Sequence, residues 1–245
     1  MMGLKNIINV STLLLSAICL NACDDGHIDE SNNDTPTEGF TVQLIGGVGT
    51  LKSLSSYSVK TGNSVAIACF NDESEYALMQ RNIPKALNTN SADTLLLSNV
   101  PANGTTLEIA VVNTLRKRML TLYSYELPSK VNSKDTVRID MGSLFDVVSQ
   151  QLFQKADCSR CHSEGGGAAN LDLSKANAYS SLVGIHAYKK PSEIRVKPFD
   201  AENSYLFKVL SEGDENVSYA HPSLMADYQG ALHVLKLWIN EGAKR

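Results

Sequence analysis

The sequence predicts two folded parts of different class: an all-β sandwich of immunoglobulin-like size over residues 39–141, and a small all-α domain over residues 142–245. Three observations predict this. Between Phe40 and Asp140, short apolar or alternating runs are separated by turn residues, with little helical periodicity. From Gly142 onward, apolar residues recur at helical spacing instead. A pair of cysteines followed by a histidine, Cys158-Ser159-Arg160-Cys161-His162, comes directly after the first helical run. The 245 residues, 43% hydrophobic and 20% charged, suffice for packed cores in both parts. The formal net charge is −4, without a long basic run, which speaks against a nucleic-acid partner and a polybasic membrane patch.

Residues 1–22 read as a cleaved secretory signal. Lys5 supplies the positive start, Ile7 to Leu20 is an apolar stretch too short to span a bilayer comfortably, and small residues precede Cys23. Leu20-Asn21-Ala22-Cys23 resembles the lipobox of bacterial lipoproteins, although Asn21 is less usual there than a small residue. The resemblance implies that Cys23 is acylated, becomes the first residue of the mature chain and ties it to a lipid bilayer of the cell envelope. Asp24 resembles an inner-membrane retention signal in one class of lipoprotein. With the acidic residues around it, it resembles a surface-export signal in another, so the leaflet stays open. Residues 23–38 are acidic, rich in Asn and Thr, and nearly devoid of apolar side chains. They predict a flexible tether, with His27 incidental.

Six strands are expected: Thr41–Ile45, Ser64–Phe70, Thr94–Val100, Leu107–Val112, Leu120–Tyr125 and Val137–Met141. Gly46-Gly47, Gly62-Asn63 and Pro101-Ala102-Asn103-Gly104 supply turns between them. Strands at this spacing suggest an antiparallel sandwich. The sequence here offers no nucleophile–base arrangement and no metal-ligand cluster. Cys69 lies inside an apolar run and reads as a buried structural cysteine. The bland role for such a domain is spacing or docking, with capture of a glycan or protein partner as the sharper one.

After Gly142, Ser143 can cap a helix whose Phe145, Val148 and Leu152 fall on one face. This helix runs into Cys158. Two thiols separated by two residues and followed by an imidazole form the attachment signature of a c-type haem. Each thiol can add across one haem vinyl group. The short spacer holds both sulfurs on one turn, and His162 becomes the proximal iron ligand. The same string also arises in zinc and dithiol sites. A zinc site of Cys158, Cys161, His162 and His221 is conceivable by ligand type, but adjacent Cys161 and His162 make a poor tetrahedral chelate. A dithiol oxidoreductase would want the motif at a helix start after a strand, whereas here it follows a helix.

Downstream, Gly165-Gly166-Gly167 predict a loop able to pass close to a flat macrocycle. Ala176–Val183, a stretch capped by Asp200 and running through Leu210, and Ala231–Glu241 predict helices. Gly242 stops the last of these.

From about residue 144 the chain resembles the small cytochrome c-like domains of bacterial surface and periplasmic proteins, including the planctomycete-type cytochrome c domains. The likeness rests on Cys158 to His162, Asn170 to Ser174, Val196 to Leu206 and Trp238 to Ala243. Phe199 stands where that family has glycine, and His221-Pro222 where it has Met-Pro. The resemblance implies a covalent haem c held by Cys158, Cys161 and His162, with His221 on the distal side of the iron. Met225, four residues later, is the competing distal ligand. Imidazole there gives a lower potential and thioether sulfur a higher one. His186 reads as a loop surface residue, His233 as a solvated helix residue, and Met119 and Met141 as apolar filler.

The expected function is one-electron transfer by an exported, lipid-anchored mono-haem cytochrome, an electron carrier and not an enzyme. Its partners are a redox protein and, through Cys23, a bilayer; no small-molecule substrate is expected. Two other functions compete. One is a cell-surface binding protein whose β-sandwich captures a glycan or protein while the haem domain is accessory. The other is a haem sensor or enzyme with a displaceable distal ligand.

Overall fold

The computed structural model describes residues 39–84, 92–163 and 168–245. The signal, the lipobox with Cys23, the tether and the Gly165–Gly167 loop lie outside the described residues.

Among the described residues, seven strands form two sheets. The first, in the order β4 (Ala92–Val100), β1 (Phe40–Val48), β7 (Thr136–Gly142), pairs β1 antiparallel with β4 and parallel with β7. The second has the order β3 (Met79–Asn82), β2 (Asn63–Phe70), β5 (Thr106–Asn113), β6 (Arg118–Glu126), all antiparallel. Strand β1 alternates strictly: Phe40, Val42 and Leu44 are buried while Thr41 and Gln43 are not, as one face on a core requires. Val42, Leu44, Leu95 and Leu97 of one sheet share a core with Val65, Ile67, Cys69, Leu107 and Ile109 of the other. The outer face of the second sheet buries small residues, Ala66, Ala68 and Ala110, with Phe70, Ala77 and Val112. The six strands read from alternation are present. Strand β3 and the short helix α1 (Thr50–Ser55) add to them.

The remainder carries five short helices: α2 (Leu144–Val148), α3 (Ala178–Leu182), α4 (Tyr205–Ser211), α5 (His221–Met225) and α6 (Gln229–Asn240). The expected division into an all-β sandwich and a separate all-α domain is thereby corrected. The fold is mixed, with both sheets and the helices within one compact unit, Glu38–Arg245. The physical reason is length. Helices of five to seven residues cannot close a core of their own, and only α6 reaches 12. Helices α2 and α6 bury apolar side chains against the strands, and α4 packs on α5 and α6. Phe145, Val148, Leu152, Leu235, Trp238 and Ile239 belong to the same apolar cluster as Phe40 and Leu122. The region also contains bridged extended backbone, Val183 with Val196 and His186 with Ile194.

The seam between strands and helices is built on the free edge of β6. Helix α6 meets it at Gly230, where a Cβ would lie 1.7 Å from the Thr121 carbonyl oxygen. That approach requires glycine. Gln151 acts as a surrogate strand: its Nε2 donates to Ser124 O at 3.2 Å and its Oε1 accepts from Ser124 N at 3.0 Å. Lys155 Nζ donates to the same carbonyl at 3.2 Å. Covering an edge in this way removes a template for pairing with other chains. Phe145, Tyr179 and Trp238 pack ring to ring at 5.1–6.4 Å beside the seam. Helix α6 ends at Gly242 (φ 98°), with Ala243 N donating to Trp238 O at 2.9 Å and Gly242 N to Ile239 O at 3.0 Å.

Asp200 is not the cap of α4. Its carboxylate accepts from Lys197 Nζ and Asn203 in a preceding turn, and Ser204 occupies the N-cap position. No helix among the described residues is long and apolar enough to cross a membrane.

Candidate haem-attachment site

The motif is delivered by a helix that changes pitch. Ser143 and Asp146 form a reciprocal capping box at the start of α2, with Asp146 N donating to Ser143 Oγ at 3.2 Å and Ser143 N to Asp146 Oδ2 at 2.7 Å. The helix then widens into a π-turn over Ser149–Gln154, a form that recurs at functional sites. Asp157 breaks the helix with left-handed backbone, φ 52° and ψ 37°. A 3₁₀ turn, Cys158–Arg160, follows at once, and His162 N donates to Cys158 O at 3.0 Å. Both thiols and the imidazole therefore sit on consecutive tight turns. Cys158 is partly buried against the core and Cys161 is exposed; both are free thiols. Burial first, and Asp157 second, push the Cys158 thiol up to about 11, so it is protonated at neutral pH. A dithiol exchange site needs the opposite, a thiolate favoured by a helix start or a cation.

His162 is fixed at two points. Its carbonyl accepts from Leu173 N at 2.7 Å, and its ring Nδ1 lies 3.0 Å from Ala168 O. His221 begins α5, followed by Pro222 in the first turn, and its ring Nδ1 lies 3.1 Å from Tyr219 O. A carbonyl oxygen can only accept, so each Nδ1 carries a proton. That is the tautomer of a metal-ligating histidine braced by an outer hydrogen bond. Burial pushes the His221 imidazole down from its ordinary value. Its bond to Tyr219 O opposes this, and the neighbouring His162 ring adds to the lowering. The neutral form is favoured. The Tyr219 ring stands edge-on to His221 at 4.9 Å.

The two imidazoles come together although 59 positions separate them in the chain. The ring centroids are 6.2 Å apart and the planes are inclined by 28°. Two imidazoles bound to opposite sides of one metal, with bonds of roughly 2.0 Å and ring nitrogens ~1.1 Å from their centroids, have centroids ~6 Å apart. The two rings are stacked at a spacing of that size, and Cys158 and Cys161 lie on the turn that carries one of them. Among the described residues, no three His, Cys, Asp or Glu side chains converge as a metal cage.

Met225 closes α5. It is 1% exposed within the apolar core, and its carbonyl accepts from Gln229 Nε2 at 2.7 Å. His186 is exposed in a bridged loop with Ile194. His233 is exposed on α6 with Tyr57 edge-on at 5.2 Å. Cys69 is fully buried in β2, and burial with the nearby Glu108 pushes its thiol up to about 11.

Two features escaped sequence reasoning. Arg195 is 8% exposed and donates to three backbone carbonyls, Ser181 O at 2.7 Å, Ala169 O at 3.0 Å and Asn170 O at 2.9 Å. Glu108, 3% exposed on β5, pairs with Arg118 and accepts from Thr121 Oγ1 at 2.7 Å. A charged residue flanked by apolar ones, as in Ile194-Arg195-Val196 and Leu107-Glu108-Ile109, is the signal that could have found both.

No known protein family, no curated protein and no solved structure matches this chain. The likeness to small cytochrome c domains rests on its motif residues.

Proposed function

We propose that this chain is an exported, lipid-anchored c-type cytochrome that carries one electron on a single covalent haem. The observation that carries the reading is the His162–His221 pair, centroids 6.2 Å apart, with both Nδ1 atoms tied to carbonyls. When bound, the haem supplies a one-electron Fe(III)/Fe(II) couple. Cys158 and Cys161 would hold it through thioethers, and His162 and His221 would ligate its iron. Met225 is spoken for by the core, which favours His221 as the sixth ligand. Paired imidazoles favour a lower potential than a His/Met pair. If His162 and His221 both ligate the iron, the chain would leave it no open site, which suits electron transfer over substrate chemistry. Export and lipid attachment are supported by the charge and apolar pattern of residues 1–22 and by Cys23 after Leu20-Asn21-Ala22.

The test is a haem stain of the denatured protein purified from cells that carry haem-maturation machinery. The expected result is a stained band that disappears in the Cys158→Ser, Cys161→Ser double variant. An unstained band for the parent chain would overturn the reading.

A further inference from the structure

We infer that Arg195 is a positioning residue for the proximal imidazole, acting through the turn that carries the Ala168 carbonyl; this rests on the haem reading above. The chain of contacts is continuous. Arg195 is held by its own backbone, its N donating to Ile185 O at 2.8 Å and its O accepting from Leu206 N at 2.9 Å. On either side of it, His186 bridges Ile194 and Val183 bridges Val196. From this fixed base the buried guanidinium reaches Ala169 O and Asn170 O with one nitrogen and Ser181 O with the other. Among the described residues no carboxylate pairs with it. Its charge is therefore directed onto those carbonyls.

Ala169 and Asn170 both have left-handed backbone, φ 57° and 48°. An alanine does not adopt this conformation without support, because its Cβ crowds the following carbonyl. The guanidinium supplies the support by gripping both carbonyls of the pair. The reversal those residues make aims the preceding carbonyl, Ala168 O, at His162 Nδ1, 3.0 Å away. That hydrogen bond fixes the tautomer and raises the basicity of Nε2 toward the metal. A more basic imidazole stabilises the oxidised iron, so Arg195 holds the potential down from a distance. It touches neither ligand.

The experiment compares Arg195→Gln and Arg195→Lys with the parent holoprotein by haem stain, midpoint potential and spin-state spectrum. Haem attachment is expected to remain, since the thiols are untouched. The midpoint is expected to move upward in Arg195→Gln, with a high-spin fraction appearing as the proximal ring loosens. In Arg195→Lys the upward shift is expected to be smaller, because a lysine keeps the charge near the Ala169 and Asn170 carbonyls but has no second nitrogen for Ser181 O. Should Arg195→Gln yield no folded holoprotein, the lysine variant decides alone. A stained protein whose potential and spectrum match the parent in every variant that folds would overturn the positioning role while leaving the cytochrome reading intact. A parent chain that takes up no haem would overturn both.

Discussion

The strand region and the region that follows Gly142 are held together by different means. In the sheets, backbone pairs with backbone, and residues alternate between core and surface. After Gly142 the chain is pinned instead by side chains that bond to backbone: Gln151 on Ser124, Arg195 on three carbonyls, Ser204 on Asp200, Tyr228 on Lys155. Left-handed backbone divides the same way. Among the described residues seven non-glycines have positive φ: Asn99 and Arg116 lie among the strands, while Asp157, Ala169, Asn170, Phe199 and Ala243 lie after them. Asp157, Ala169 and Asn170 flank the Cys-x-x-Cys-His motif. Strain of this kind persists where surrounding structure fixes it, and it clusters at functional sites. The sheets hold themselves by their own ladder, and the second region spends side-chain bonds on fixing strained turns around the motif.

The sharpest way to break that division is to exchange the two distal candidates. His221→Ala is expected to turn low-spin iron high-spin while leaving the fold intact. Met225→Ala is expected to leave the spin state unchanged and to cost about 2–5 kcal/mol through the cavity it opens. Visible spectra and denaturant unfolding of the two variants check this together. Reversed phenotypes would move Met225 to the iron and His221 to the periphery.

The claim that both regions share one core is tested by Trp238→Ala and Gly230→Ala. The tryptophan variant is expected to lose about 3–5 kcal/mol. The glycine variant forces a methyl against Thr121 O and is expected to lose at least ~1–3 kcal/mol. In both, strand and helix signals in urea unfolding should move together. Strands that stay folded while the helices melt would restore two separate domains.

Inside the sheets, Arg118→Ala leaves the buried Glu108 carboxylate with Thr121 as partner. Arg118 is 32% exposed on its side chain, so the expected loss is discounted to about 1–3 kcal/mol, below that of a fully buried pair. Glu108→Gln in the same background should recover part of it, as read by the urea midpoint.

Smaller effects belong to the surface of the second region. Phe199 stands in left-handed backbone at φ 68°, 73% exposed, its ring against Gly242. Phe199→Gly relieves that conformation and forfeits the ring contact, for a net gain of about 0.5–1 kcal/mol in thermal unfolding.

Three carboxylates of the second region are held below their ordinary value. Asp172 is lowered chiefly by hydrogen bonds from Ser174, Asp200 by Lys197, and Asp214 by Asn216. A depressed carboxylate contributes stability above its unfolded pKa, near 4, and loses it as pH falls through the folded value. Among the strands, Glu75 is likewise lowered, by Lys117. Urea midpoints at pH 5 and pH 3 should therefore fall modestly with acid. The loss should shrink when Asp172, Asp200 and Asp214 are all replaced by Asn.

The strands were legible because the side-chain period of two is local: Phe40, Val42 and Leu44 declare a buried face without reference to any partner. Their neighbours were not. The parallel pairing of β1 with β7 depends on contacts nearly a hundred residues apart, and β3, Met79-Gln80-Arg81-Asn82, is too polar to signal a strand. Helix α5 escaped because one turn of His-Pro-Ser-Leu-Met has no period to read. The second region misled at the level of fold class. Its helices have real apolar faces, and sequence periodicity does not reveal that those faces look toward β6.

At the site, the motif residues were visible in a pattern and the resemblance set His221 across from His162, but the 6.2 Å spacing and stacking of the two rings were not legible. Arg195 was invisible for the same reason. The carbonyls it grips at 169, 170 and 181 share no local pattern with it.

The most direct measurement is the reduced and oxidised visible spectrum of the purified holoprotein. The expected spectrum is that of a covalent c-type haem, low-spin in both states, without the red-end band of methionine-ligated ferric iron. A protein with no haem absorption, or with a high-spin or methionine-ligated spectrum, would contradict the paired-imidazole site on which the account stands.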